Sequence, residues 1–367
     1  TEICYNAFSY CTALKEINIP DSVTDIGSAA FSYCTLLKSI TIPDSVTTIR
    51  NEAFRDCTSL NDVYMEDGVV EIKSSAFQNC TSLSNVKLSK ALERLGYSAF
   101  NNCKQLTSIE IPKSLTGGDT IYNPDYAIFK NAGLKNVTFE EGVTKIAPKL
   151  FESCSYLTNI EIPDTVTEIC YNAFSYCTAL KEINIPDSVT DMGEEIFLEC
   201  INLEKVKLPN GRRNIVKNTF YNCKKLKDIV LPETVTAIRK NAFYGCASLP
   251  SINLPDGLQT IEDNAFYECK ALTDITIPKN VTSIGSNAFY NCDSLQTVII
   301  NASGTVGSQA FYDCDALTSL TFADSITKIG SSLCYGCDKL TDIKFGKYIT
   351  EIPDSSFRKC SALQSVT

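Results

Sequence analysis

The sequence predicts an α/β repeat solenoid, a single array of coils stacked on one another, and three observations carry that prediction. First, phenylalanine recurs at Phe8, Phe31, Phe54, Phe77 and Phe100, and again at Phe129, Phe151, Phe174, Phe197, Phe220, Phe243, Phe266, Phe289, Phe311 and Phe357, with Cys334 in the remaining slot. The interval is 23 residues except for 29 before Phe129 and 22 before Phe151 and Phe311. Second, a fixed set of small and apolar positions travels with each phenylalanine. It can be written A-F-x-x-C-x-x-L-x-x-I-x-I-P-D-x-V-x-x-I, as at Phe31, Cys34, Leu37, Ile40, Ile42, Val46 and Ile49. Third, 16 such units use most of the 44% of residues that are hydrophobic, so little is left to build a separate domain. One unit cannot bury its own inner face, but stacked units bury each other's.

Each element of the unit has its own signal. Phe31, Cys34 and Leu37 recur every three residues, which predicts a short helical or 3₁₀ turn. Ile40 and Ile42 alternate with Ser39 and Thr41, the period of a half-buried strand. Pro43-Asp44-Ser45 then stops the strand and turns the chain. Stacked strands form one parallel sheet. The unit before Phe129 (112–134) is irregular: it carries six extra residues around Gly117, Gly118, Asp119, Asn123, Pro124 and Asp125, and its column cysteine is replaced by Ala132. Insertions in solenoids map to loops on one face; a tolerated bulge and a ligand-contacting loop both stay open here. The acidic spacing is not that of an EF-hand, so no metal is assigned. Residues 1–25 recur verbatim at 167–191, which fits a position-tolerant spacer better than a unique site. Thr1–Ile3 reads as the tail of a preceding unit and Val366 as a strand residue with no successor. The 367 residues are therefore expected to be a piece of a longer protein, cut inside a unit at both ends.

The segment Leu37-x-x-Ile40-x-Ile42 matches the L-x-x-L-x-L core of leucine-rich repeats. With "IPDSVT-x-I", "AF-x-x-C-x-x-L" and "AFYNC", essentially the whole chain resembles the BspA-like leucine-rich repeats of anaerobic bacteria and parasitic protists. That resemblance implies a right-handed superhelix with a parallel sheet on the concave face and short helical or 3₁₀ turns on the convex face. It also implies a cell-surface or secreted protein that works in adhesion or protein–protein interaction. Its expected partners are host or neighbouring-cell surface proteins, extracellular matrix or glycans. The usual Asn/Cys after the strand is here Ser22, Ser45, Thr165, Ser188, Thr234, Gly257 or Asn280.

Composition narrows the chemistry. The chain has no histidine, so it can form neither a Ser-His-Asp triad nor a His-ligated metal site. A net charge of −10 argues against nucleic acid as partner. No apolar run of 18 residues is present, so no membrane insertion by this segment is expected. No catalytic residue, cofactor or metal is assigned, and the chain is read as a binding protein, with a passive spacer that displays another domain as the alternative. Fifteen of the 18 cysteines sit three residues after the phenylalanine slot, at the repeat period, and read as buried free thiols. Tyr221, Tyr244, Tyr267, Tyr290, Tyr312 and Tyr335 directly follow that slot in successive units and are expected to stack as an outer ladder. On the sheet, outward positions include Tyr64, Lys87, Glu110, Glu161, Asn184, Lys205, Lys207 and Asn253, a polar surface suited to broad, wet contact. A basic cluster of Lys205, Lys207, Arg212, Arg213, Lys217, Lys224, Lys225 and Lys227 contains no acid between its ends and is either a solvated face or a site for an anionic partner. Four sequons lie at Asn79, Asn136, Asn280 and Asn301.

Overall fold

The computed structural model describes residues 1–118 and 127–367. The insertion residues Asp119, Asn123, Pro124 and Asp125 lie outside the described residues. The chain divides into two compact units, Thr1–Leu180 with Asp191–Gly193, and Lys181–Thr190 with Glu194–Thr367.

In the first unit the expected strands form as Ser39–Ile42, Asp62–Met65 and Asn85–Lys87, paired in parallel with Ser39 opposite Asp62 and Asp62 opposite Asn85. The partner of each residue is its repeat equivalent, so each isoleucine of a coil meets its counterpart in the next. Ser108–Ile111 pairs with Asn136–Phe139, whose offset absorbs the insertion. Each coil also contains a second, shorter strand that periodicity did not announce. It comprises the two residues that end the V-T-x-I segment, such as Thr48–Ile49 and Glu71–Ile72, and six of these stack into their own parallel sheet. The proline-containing turn separates the two strands, and Val46 and Ile49 are both fully buried behind it.

The second unit repeats the plan. Its long strands are Glu182–Asn184, Lys205–Lys207 and Asp228–Val230, and then Asp274–Ile277, Thr297–Ile300, Ser319–Phe322, Asp342–Lys344 and Ser365–Val366. The coil that is one residue short pairs Ser283 with Thr305, and a bulge between Gly304 and Thr305 restores the register against Ile326–Ile329.

The expected helical or 3₁₀ turns are not what the chain builds: among the described residues the segment around each phenylalanine is a run of β-turns. The reason lies in where the amides point. Asn6, Phe8 and Tyr10 donate their N–H groups to Ser28, Ala30 and Ser32 of the next coil, at 3.1, 2.7 and 2.8 Å. The alternate amides of Ala7, Ser9 and Cys11 donate back to Cys4, Asn6 and Phe8 of the same coil, at 3.2, 3.1 and 3.0 Å. A helix keeps every amide inside its own segment; here half of them leave for the neighbour. The alternation needs left-handed residues two before and two after the phenylalanine, as at Asn6 and Tyr10, Ala29 and Tyr33, or Asn287 and Asn291. Among the described residues none of the non-glycine residues in that conformation is β-branched, the class for which it is most strained.

The core is a set of columns. Phe31, Phe54, Phe77 and Phe100 are fully buried, and successive rings stack with centroids 5.1–5.3 Å apart. Where Cys334 replaces phenylalanine, Phe345 instead meets Phe357 edge-on at 5.8 Å. After Ala132 the coil is one residue short, and Gly133 passes so close that a Cβ there would lie 2.2 Å from the Lys104 carbonyl oxygen.

Candidate binding surface

The long-strand face is where the sequence-assigned residues project. Alternation buries Ile40, Val63 and Ile109 and leaves Tyr64, Lys87 and Glu110 outward. In the first unit these three come together, with Asn85, Ser108, Asn136 and Thr138, around an open depression of about 500 Å³. Tyr64 is 48% exposed, a large aromatic ring presented to solvent on a sheet. Asn85 is set in place by its amide, which donates to Asp62 Oδ1 at 2.6 Å. Glu161 is exposed farther along the same unit.

In the second unit, pairing places Glu182, Lys205 and Asp228 in one row and Asn184, Lys207 and Val230 in the next. Lys205 Nζ lies 3.0 Å from Asp228 Oδ2, and that contact raises the lysine's pKa. Val230 is 75% exposed beside Lys207 and lines a depression of about 320 Å³. Asn253 is exposed and borders a wider depression of about 810 Å³ with Asp274 and Thr276. Lys227 and Thr273 donate their amides to the preceding coil, to Glu204 and Pro250, each at 3.1 Å. Pro250 occupies the same position and has no N–H to give, and the ladder is unpaired between Asp228–Val230 and the segment that follows Pro250.

The basic cluster is not one surface. Lys227 pairs with Glu204 at 2.8 Å and Lys217 approaches Glu194 at 3.9 Å, as Lys205 does Asp228, so neighbouring coils bring carboxylates that the local sequence hides. Arg212 falls in the column that Val46 and Val235 occupy; it is half-buried and its Nε donates to the Asn214 carbonyl at 2.7 Å. Arg213 is exposed. The two arginines are thus separated in environment despite being adjacent in sequence.

The six tyrosines do stack. Tyr221, Tyr244, Tyr267, Tyr290, Tyr312 and Tyr335 have centroids 4.6–4.8 Å apart, with near-parallel planes. They are half-buried, and burial together with the adjacent phenols pushes Tyr244 up to about 12. Most of the cysteine column is buried, and its thiols are free. Most of these thiols donate to the phenylalanine carbonyl of the preceding coil, as Cys57 does to Phe31 at 3.1 Å and Cys246 to Phe220 at 3.2 Å, while Cys360 donates to the Cys334 carbonyl at 3.1 Å. The polar residues after the strand also bridge coils: Thr165 Oγ1 reaches the Val143 carbonyl at 2.6 Å, and Asn280 Nδ2 the Asp256 carbonyl at 2.8 Å.

Sequence reasoning passed over Asn85, Ser108, Asn136, Thr138 and Val230 on this face. Their signal was available, because each sits at the outward parity of its strand; the opening of the ladder beside some of them was not. No helix among the described residues is long and apolar enough to cross a membrane.

The chain matches the family model described as BspA type leucine rich repeat region (6 copies) over residues 1–124, 123–250 and 236–364. No curated protein matches it. Among solved structures it is similar to a leucine-rich repeat protein from Bacteroides ovatus, at 25% identity and a TM-score of 0.64, over 95% of this chain and 91% of that one. It is also similar to a leucine-rich cell surface protein from Faecalibacterium prausnitzii, at 28% identity and a TM-score of 0.45, over 96% and 88% of the two chains.

Proposed function

Because the chain belongs to the BspA-type leucine-rich repeat family, we propose that it is a non-enzymatic binding protein, displayed on a cell surface or secreted, which holds protein or extracellular-matrix partners on its long-strand faces. One observation carries the reading. Outward side chains stand in rows at strand spacing on paired ladders, as Glu182, Lys205 and Asp228 do, while the inward positions are used up by the core. A rigid, polar, mixed-charge surface suits many modest contacts whose strength comes from their number. The carboxylates recur with the repeat instead of converging on one point, which favours binding over catalysis.

The test is surface binding of the intact protein to a panel of extracellular-matrix and cell-surface proteins. A triple variant, Lys205→Glu, Lys207→Glu and Val230→Asp, alters only exposed positions. We expect at least one partner to be retained and the variant to lose about tenfold or more in affinity, with its circular dichroism unchanged. Absence of any partner, or equal binding by the variant, refutes the proposal. A passive spacer is the second reading, favoured by the identity of residues 1–25 with 167–191. A spacer would keep any partner binding after whole coils carrying this face were removed.

A further inference from the structure

Between Asn85–Lys87 and Ser108–Ile111 the long strands of the first unit lie side by side without pairing. The consequence is chemical. Lys87 and Glu110 hold equivalent places 23 residues apart on successive coils. Across one paired ladder of the second unit an equivalent pair of opposite charges, Lys205 and Asp228, closes to 3.0 Å. Across this seam no ion pair joins Lys87 to Glu110 among the described residues, so an ammonium and a carboxylate both stay open to solvent. The side chains of Tyr64, Ser108, Asn136 and Thr138 likewise have no hydrogen-bond partner among the described residues. All six face the depression of about 500 Å³, a volume within the ~300–1,000 Å³ of small-ligand sites.

The geometry points to this seam as a binding site for a neutral oligosaccharide. A sugar ring has an apolar C–H face and a rim of hydroxyls that both donate and accept. The exposed Tyr64 ring offers the flat apolar platform. Glu110 accepts, Lys87 donates, and the amide and hydroxyl groups of Asn136, Ser108 and Thr138 do both or either. One positive and one negative charge leave the site without a preference for sulfated or sialylated chains. An extended peptide is disfavoured because the seam is flanked by a strand on each side and presents no outer sheet edge to extend. This inference rests on the strand face being the binding surface.

The experiment is an array of neutral, sulfated and sialylated oligosaccharides probed with the intact protein, followed by calorimetric titration of the best neutral ligand. Tyr64→Ala and Glu110→Gln are compared with Tyr348→Ala, an exposed tyrosine elsewhere. We expect neutral glycans to be retained at least as well as anionic ones. Each seam variant should lose about tenfold or more in affinity, and Tyr348→Ala none, with the same thermal midpoint for all. Three results overturn the site: no neutral glycan retained, seam variants that bind as well as the parent, or bound glycan displaced by extended peptides in a Tyr64-dependent manner. If protein partners still bind the strand face while glycans do not, this site alone falls; loss of both removes the broader reading.

Discussion

At the scale of single residues, two side chains show why a position's type matters less than its column. Cys34, Cys57 and Cys80 are buried beside a carbonyl of the preceding coil, where a small polarizable group with one weak proton fits. Burial favours the neutral thiol: Cys34 rises to about 11, and Cys57, Cys80, Cys103, Cys177 and Cys246 rise as well, from a usual value of 9.0. The phenol of Tyr244 rises in the same sense. In the unfolded chain these groups ionise first, so between the unfolded and folded values the folded state holds more protons and stability falls as pH rises. The contribution of these groups should be fully present below about pH 9 and decline above it. Urea midpoints measured from pH 7.5 to 10.5 check this, and a midpoint that is flat or rising above pH 9 would contradict it. Arg212 is the second case. Its charge reads as part of a basic run, yet its place in the fold is an apolar column, and only the coil register shows that.

At the scale of the element, the turn run around each phenylalanine is held by backbone handedness and by an asparagine ladder. Asn241 Nδ2 donates to Asn218 Oδ1 at 2.9 Å and Asn264 Nδ2 to Asn241 Oδ1 at 3.0 Å, from positions that are all left-handed. Asn264→Val removes the amide and places a β-branched residue at φ 56°, and we expect a loss of about 2–3 kcal/mol. Asn264→Gly keeps the backbone at ease and should cost roughly half as much. Chemical denaturation of both variants tests the difference; equal losses would mean that handedness contributes nothing there. The three-residue spacing of Phe31, Cys34 and Leu37 is real, but it fits a β-turn run as well as a 3₁₀ turn, since both place every third side chain inward. Local spacing cannot say whether an amide bonds within its coil or leaves it.

At the scale of the whole molecule, each unit is a stack in which a coil contacts its neighbours through equivalent residues. Removing residues 244–266 joins Phe243 to Tyr267 and recreates the Phe-Tyr pair one coil shorter. We expect that variant to fold, with the same β-type circular dichroism and a cooperative thermal transition. Removing 244–255, about half a coil, puts every following column out of register and should abolish the transition. Comparable unfolding of the two deletions would refute in-register stacking.

The repeat period, the long strand, the core columns, the stacking of Tyr221 through Tyr335 and the outward parity of Tyr64, Lys87 and Glu110 could all be read from the chain alone. They follow from which side chains must leave water, and that is written in the order of residues. Three things were decided only in three dimensions. The second strand is too short to show a period. The cancellation of Lys205, Lys217 and Lys227 by Asp228, Glu194 and Glu204 depends on which coils become neighbours. The seam beside Asn85–Lys87 depends on whether two adjacent backbones come close enough to bond. Each is a relation between coils, and a relation between coils exists only once they are stacked.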